Sequence, residues 1–208
     1  INVDDGYFGK RDENGVMQAN EKRFPNGMKP VADHIHSLGM KAGLYTDAGT
    51  RTCGSLWNKD SIGIGAGIYG HEPQDAQLYF GDWGFDFIKI DYCGGEVLGL
   101  DEKERYTSIR NSIDKVNKNV SINICRWAYP GTWAKDAATS WRISGDINAH
   151  WNSLKYVVGK NLYLSAYAGN GHYNDMDMMV VGFRNNSRVG GNGLTPTEEE
   201  AHFGLWCI

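Results

Sequence analysis

The chain has 208 residues, 41% hydrophobic and 22% charged, enough to bury one sizeable core. Its net charge of −4 argues against the basic stripe of a nucleic-acid-binding surface, and no apolar run approaches the roughly 20 residues of a membrane helix. With 27 glycines, 7 tryptophans and 11 tyrosines, the composition suits a loop-lined cleft for a flat polar ligand such as a sugar. Cys53, Cys93, Cys125 and Cys207 match no zinc spacing, and free thiols or one or two bridges both fit. The chain opens inside a strand-like segment with no initiator methionine or signal peptide, and stops inside a helical pattern, so both ends read as cut.

In chain order, residues 1–5, INVDD, read as a strand. Residues 30–38 read as a helix, with Pro30 at the start and Gly39 as the stop. Residues 41–47, KAGLYTD, form the next strand, 73–83 a helix ended by Gly84, and 85–91, FDFIKID, a strand. Residues 101–117 are a longer helix with Ile109, Ile113 and Val116 at helical spacing. Then come a strand at 121–125, a short helix at 132–138, a strand at 141–147 and a short helix at 152–158. Residues 162–168 and 177–181 are apolar enough to supply the next strand or its loop. Residues 195–207 open on TPTEEE, a threonine cap with proline and acids in the first turn. This alternation predicts an α/β fold with a parallel sheet. Short strands with polar C-terminal ends favour a partial (β/α)8 barrel, about six consecutive βα units with the first and last strands missing. Residues 1–208 are therefore expected to be a single catalytic-barrel fragment.

Charge gathers at the strand ends. The successive groups are Asp4-Asp5; Tyr45 and Asp47; Lys89 and Asp91; Cys125-Arg126-Trp127; Arg142, Ser144 and Asp146; then Asn174, Asp175, Asp177 and Met178. Alternation puts Phe87, Lys89 and Asp91 on one face of their strand, Ile88 and Ile90 on the other, and Arg142, Ser144 and Asp146 together on theirs. A lysine and an aspartate on the inner face of a core strand are costly unless paired and used. Two carboxylates in a polar cleft fit glycoside hydrolysis, where one attacks the anomeric carbon or activates water and the other protonates the departing oxygen. Asp91 beside Lys89 is the nucleophile candidate, because a nearby cation keeps it ionised. Asp146 is the acid candidate, given a drier setting.

Plainer roles stand beside these: a structural ion pair for Lys89 and Asp91, a solvated turn for Asp4-Asp5, and a metal pair for Asp175 and Asp177, for which no further oxygen ligands are evident. His34 and His36 face apart on their helix and read as surface or packing residues. Trp127 is the expected sugar platform, with Trp83 and Trp206 in the core. Asn119-Val120-Ser121 and Asn185-Asn186-Ser187 match the glycosylation tripeptide, which recurs by chance.

The stretches INVDDGY, RFPNGMKPVADHIHSLGMKAGLYTDAGTRTC, YGHEPQDAQLYFGDWGFDFIKIDYC, SWRISGDI, NDMDM and LTPTEEEAHFGLW run in this order across nearly the whole chain. They resemble glycoside hydrolase family 27, the family of α-galactosidases and α-N-acetylgalactosaminidases. The resemblance implies a TIM barrel and a retaining hydrolase that cleaves terminal α-D-galactosyl residues by double displacement, with no cofactor and no metal. It implies Asp91 as nucleophile and Asp146 as general acid/base, Asp4 and Asp5 on the O4 and O6 hydroxyls, and Lys89 and Arg142 on other ring hydroxyls. Tyr45, Cys125, Arg126, Trp127, Asp177 and Met178 would line the pocket. Cys53 and Cys93 resemble the family's active-site disulfide, which implies a secreted, periplasmic or lysosome-like compartment. The implied partner is an α-galactoside oligosaccharide or glycoconjugate, with no nucleic acid and no membrane. The family's C-terminal β-sandwich is absent from residues 1–208.

Departures from the family pattern qualify the sugar rather than the reaction. Family α-galactosidases usually carry Cys-Glu-Trp where this chain has Cys125-Arg126-Trp127, and an arginine cannot accept a hydrogen bond from a 2-hydroxyl. Asp5 in place of a glutamate favours galactose over the family's β-L-arabinopyranosidases. The position that pairs with Cys125 in many members is Ala138 here, so Cys125 is expected outside any disulfide. The stretch Trp57–Ile68 is longer than the family leads one to expect and would reshape the entrance. The same mechanism on an α-N-acetylgalactosaminide, a β-L-arabinopyranoside or an α-glucan, and an inactive sugar-binding fragment, are the alternatives.

Overall fold

The structure is a computed structural model describing residues 1–184 and 190–208, so the tripeptide beginning at Asn185 lies outside the described residues. The chain forms two compact units, Ile1–Cys125 with Trp133–Thr139, and Arg126–Thr132 with Ser140–Ile208.

The first unit opens with an antiparallel hairpin, β1 (Phe8–Arg11) and β2 (Met17–Ala19), which sequence patterning does not predict. Its turn is built by Asp12, whose carboxylate accepts the N–H groups of Asn14 and Val16, and by Gly15 at φ 78°. Helix α1 (Lys29–Ser37) follows, with proline in its first turn. Three parallel strands come next: β3 (Gly43–Asp47), β4 (Phe87–Asp91) and β5 (Ser121–Cys125). The crossover from β3 to β4 carries α2 (Cys53–Trp57) and α3 (Glu72–Ala76). The predicted helix over 73–83 is only partly α-helical, because it widens into a π-turn at Gln77–Asp82 with Trp83 N–H on Leu78 O at 2.8 Å. From β4 to β5 run α4 (Cys93–Val97) and α5 (Glu102–Asp114), the latter capped by Asp101. A short α6 (Ala134–Ala137) completes the unit.

The strand predicted over residues 1–5 shrinks to one bridge between Asn2 and Gly43. Asp4 Oδ1 takes the Asp5 N–H and Gly6 adopts φ 99°, which turns the chain off the sheet. Pairing is in register: Leu44 beside Ile88, Tyr45 beside Lys89, and Asp47 beside Asp91, which in turn lies beside Cys125. One face of the ladder therefore presents Leu44, Ile88, Ile90, Ile122 and Ile124, all buried. Helix α5 supplies buried Tyr106, Ile109 and Ile113 to the same core, and the Tyr106 hydroxyl donates to Ile90 O at 3.0 Å. Each such aliphatic residue contributes about 1.5–3 kcal/mol by burial. The opposite face carries the polar residues and is considered below.

The second unit pairs β6 (Ser140–Arg142) in parallel with β7 (Tyr173–Asp175), Arg142 lying beside Asp175. Helix α7 (Trp151–Asn161) and helix α8 (Pro196–Trp206) enclose a core of Ile147, Ala149, Leu154, Val157, Val180 and Leu194, with Trp206 packed on it. Thr195 and Glu198 close the capping box that TPTEEE predicts. The strand predicted over 141–147 stops at Arg142, and residues 143–150 form a loop. Residues 162–168, a candidate next strand, instead finish α7 and make a 3-10 turn at Ser165–Tyr167, with Leu162 and Tyr163 exposed. That strand is β7, a polar segment without an apolar run. It is anchored by Asn174, which accepts from Trp141 Nε1 at 2.8 Å and donates to Leu164 O at 2.9 Å.

Candidate active site

In the first unit, the in-register strands place Tyr45 and Lys89 at one level and Asp47, Asp91 and Cys125 at the next, at the strands' C-terminal ends. Lys89 Nζ lies 3.2 Å from Asp4 Oδ2, 4.0 Å from Asp91 Oδ1 and 5.3 Å from the centre of the Tyr45 ring. Burial alone would lower the Lys89 pKa, but the charges of Asp91 and Asp4 outweigh it and the net shift is upward. Asp91 is 5% exposed, and burial pushes its pKa up. Lys89 opposes that rise most, helped by hydrogen bonds from Cys125 and Tyr45. The cation is thus present as the sequence suggests, yet burial outweighs it. Asp91 Oδ1 is buried with no hydrogen-bond donor among the described residues, and the Lys89 ammonium 4.0 Å away is its charge partner.

Asp5 is fixed by accepting the Gly54 N–H at 2.9 Å, and its pKa is raised by burial, with Asp4 and Asp60 adding to the rise. Cys53 and Cys93 form the disulfide implied by the resemblance. The Tyr45 hydroxyl accepts the Cys53 N–H at 3.3 Å, so one side chain touches both the disulfide segment and Asp91. Cys125 is buried and outside any disulfide, as expected.

The residue that sequence reasoning undervalues is Asp47. It is fully buried; Oδ1 accepts the N–H groups of Gly49 at 2.7 Å and Gly94 at 3.0 Å, and Oδ2 accepts Gly94 again at 3.0 Å. The loops after β3 and β4 meet backbone to backbone there: a Cβ at Gly49 would stand 2.1 Å from Gly94 C. Burial pushes Asp47 up to about 7, against those N–H groups and with the Asp91 charge adding. Asp47 Oδ2 lies 4.0 Å from Cys53 Sγ. Among the described residues, Asp47, Cys53 and Cys93 are the one cluster of three such side chains with ligand atoms within 4.8 Å of one another, and both sulfurs are committed to the disulfide.

In the second unit, Arg142 is buried and its Nη2 bonds Asp177 Oδ2 at 2.9 Å, Asp146 Oδ1 at 3.0 Å and Ser144 O at 3.3 Å. Asp177 also accepts the N–H groups of Ile147 and Met178, and takes φ 75°, a left-handed conformation that costs about 1–3 kcal/mol outside glycine. Burial raises the Asp177 pKa, with Arg142 opposing. Trp127 is likewise left-handed at φ 62°, directly after Arg126. The shared strand face expected for Arg142, Ser144 and Asp146 is replaced by a loop gathered round one guanidinium. The drier setting expected for Asp146 is not found, its side chain being 75% exposed. Met178 is also exposed. His34 and His36 are on the surface as expected, His36 paired to Asp86 at 2.7 Å.

The family model described as alpha galactosidase A matches residues 1–208. Alpha-galactosidase A of Cellvibrio japonicus is 40% identical over 221 residues, covering all of this chain and 50% of that protein. A solved Bacteroides fragilis structure, described as a candidate alpha-galactosidase/melibiase, aligns with TM-score 0.87 at 35% identity, over 100% of this chain and 45% of its own. The Saccharomyces cerevisiae alpha-galactosidase solved with raffinose aligns with TM-score 0.79 at 28% identity, over 99% of this chain and 48% of its own. The chain spans about half the length of the curated relatives it matches. On these matches the chain belongs to the alpha-galactosidase (melibiase) family, glycoside hydrolase family 27.

Proposed function

We propose that the protein is a retaining glycosidase that releases terminal α-D-galactosyl residues from an oligosaccharide or glycoconjugate. The observation that carries this reading is Asp91, a carboxylate at the C-terminal end of β4 with Lys89 Nζ 4.0 Å from its Oδ1. The Asp91 carboxylate attacks the anomeric carbon while the bond to the leaving oxygen breaks, giving a covalent galactosyl-enzyme. Asp146, held 3.0 Å from Arg142 Nη2, protonates the leaving oxygen. It then takes a proton from the water that releases galactose with its α configuration retained. Asp4, Asp5 and Lys89 hold sugar hydroxyls by charge-assisted hydrogen bonds, as do Arg142 and Asp177. Tyr45 and Cys125 orient Asp91, and Arg126, Trp127 and Met178 contact the substrate. The Cys53–Cys93 disulfide fits a protein that works in an oxidising, extracytoplasmic or lysosome-like compartment.

The test is turnover of an aryl α-galactoside by the full-length protein. Asp91→Asn is expected to remove activity, because an amide is no nucleophile, and Asp146→Asn to slow it strongly. Normal turnover in Asp91→Asn would sink the assignment.

A further inference from the structure

Trp57 ends α2 with 72% of its surface exposed, the most open tryptophan position in the first unit. Its indole N–H is nevertheless fixed, donating to Cys93 Sγ at 3.1 Å. Among the described residues it makes no ring contact. Indole rings normally bury about 150–250 Å², so an exposed ring with its one polar atom already satisfied offers an apolar face and nothing else. Its location is set by covalent structure: α2 begins at Cys53, Cys53 is bonded to Cys93, and Cys93 stands two residues beyond Asp91. The ring thus rests on the disulfide beside the proposed nucleophile, whereas the charged groups suited to galactose hydroxyls, Asp4, Asp5 and Lys89, are used elsewhere around Asp91.

We propose, resting on the glycosidase reading, that Trp57 is the stacking platform for the leaving-group sugar of an oligosaccharide substrate. A pyranose presents an apolar C–H face that pairs with an aromatic ring and needs no charge, which is what Trp57 supplies. Galactose itself needs directional polar contacts, which Trp57 cannot make. The residue therefore discriminates between leaving groups and leaves the galactosyl contacts to others.

The test compares Trp57→Ala and Trp57→Phe in the full-length protein on raffinose and on α-galactosyl fluoride, whose leaving group is a single atom. The ratio of kcat/KM for raffinose to that for the fluoride is expected to fall about tenfold in Trp57→Ala, equivalent to about 1.4 kcal/mol. Trp57→Phe is expected to restore most of it. An unchanged ratio overturns the proposal, and equal losses on both substrates with a lowered Tm would show that the ring packs against the protein's own chain. If the unsubstituted protein does not hydrolyse the fluoride, the glycosidase reading itself fails, a result distinct from an unchanged ratio in an active enzyme.

Discussion

Replacing Lys89 by methionine removes the cation 4.0 Å from Asp91 Oδ1 while keeping the length of the side chain. Two unit charges at that distance attract by about 4 kcal/mol at an effective dielectric of ~20. The Lys89 side chain is 25% exposed, so solvent screens part of this attraction. The sign follows from the geometry. Burial already holds the Asp91 pKa above the usual carboxylate range, with Lys89 as the main opposing influence; without Lys89 the pKa rises further. Because the nucleophile must be ionised, the acid limb of kcat/KM for an aryl α-galactoside moves to higher pH. Stability follows the same linkage: a folded-state pKa above the unfolded value makes folding most favourable below about pH 4 and weakens it as pH rises through the folded pKa. The Tm gap between variant and parent should therefore widen from acid to neutral pH. An acid limb that stays in place would refute the claim that Lys89 controls the charge state of Asp91.

Two further outcomes are expected in the full-length protein. The Cys53–Cys93 bridge closes a separation of 40 residues, so Cys53→Ser with Cys93→Ser should lower unfolding stability by about 4 kcal/mol from loop entropy; a denaturation midpoint equal to that of the parent would contradict this. Asp47, pushed up to about 7 from 3.8 by burial, should cost the parent roughly 4 kcal/mol of stability as pH rises from about 4 through 7. Asp47→Asn should remove that slope, and parallel Tm-against-pH curves for the two proteins would show that Asp47 does not titrate in this range.

The strands that carry Lys89, Asp91 and Cys125 were legible because their sequences change character abruptly. FIKID and SINIC alternate cleanly and end on polar residues, and the structure keeps those ends in register. Helix α8 was legible from its cap alone. β7 was not, because its Tyr-Asn-Asp sequence has no apolar run and the strand exists through the side-chain bonds of Asn174. The strand expected through Asp146 ended early because Arg142 draws Ser144 O, Asp146 and Asp177 onto one guanidinium. Strand alternation cannot anticipate such a tertiary preference. The weight of Asp47 was hidden for a similar reason: its partners are backbone N–H groups of Gly49 and Gly94, the second 47 residues away. Trp57 gave no sequence signal beyond lying in a long loop, since only its exposure and its bond to Cys93 set it apart.

The central claim is that Asp91 forms the covalent bond to the sugar. The most direct measurement is peptide mass spectrometry of the full-length protein after reaction with a slow fluorinated α-galactosyl fluoride. The label is expected on the tryptic peptide spanning residues 90–103, at Asp91, with loss of activity in proportion to labelling. A label on any other carboxylate, or inactivation with no adduct on that peptide, would contradict it.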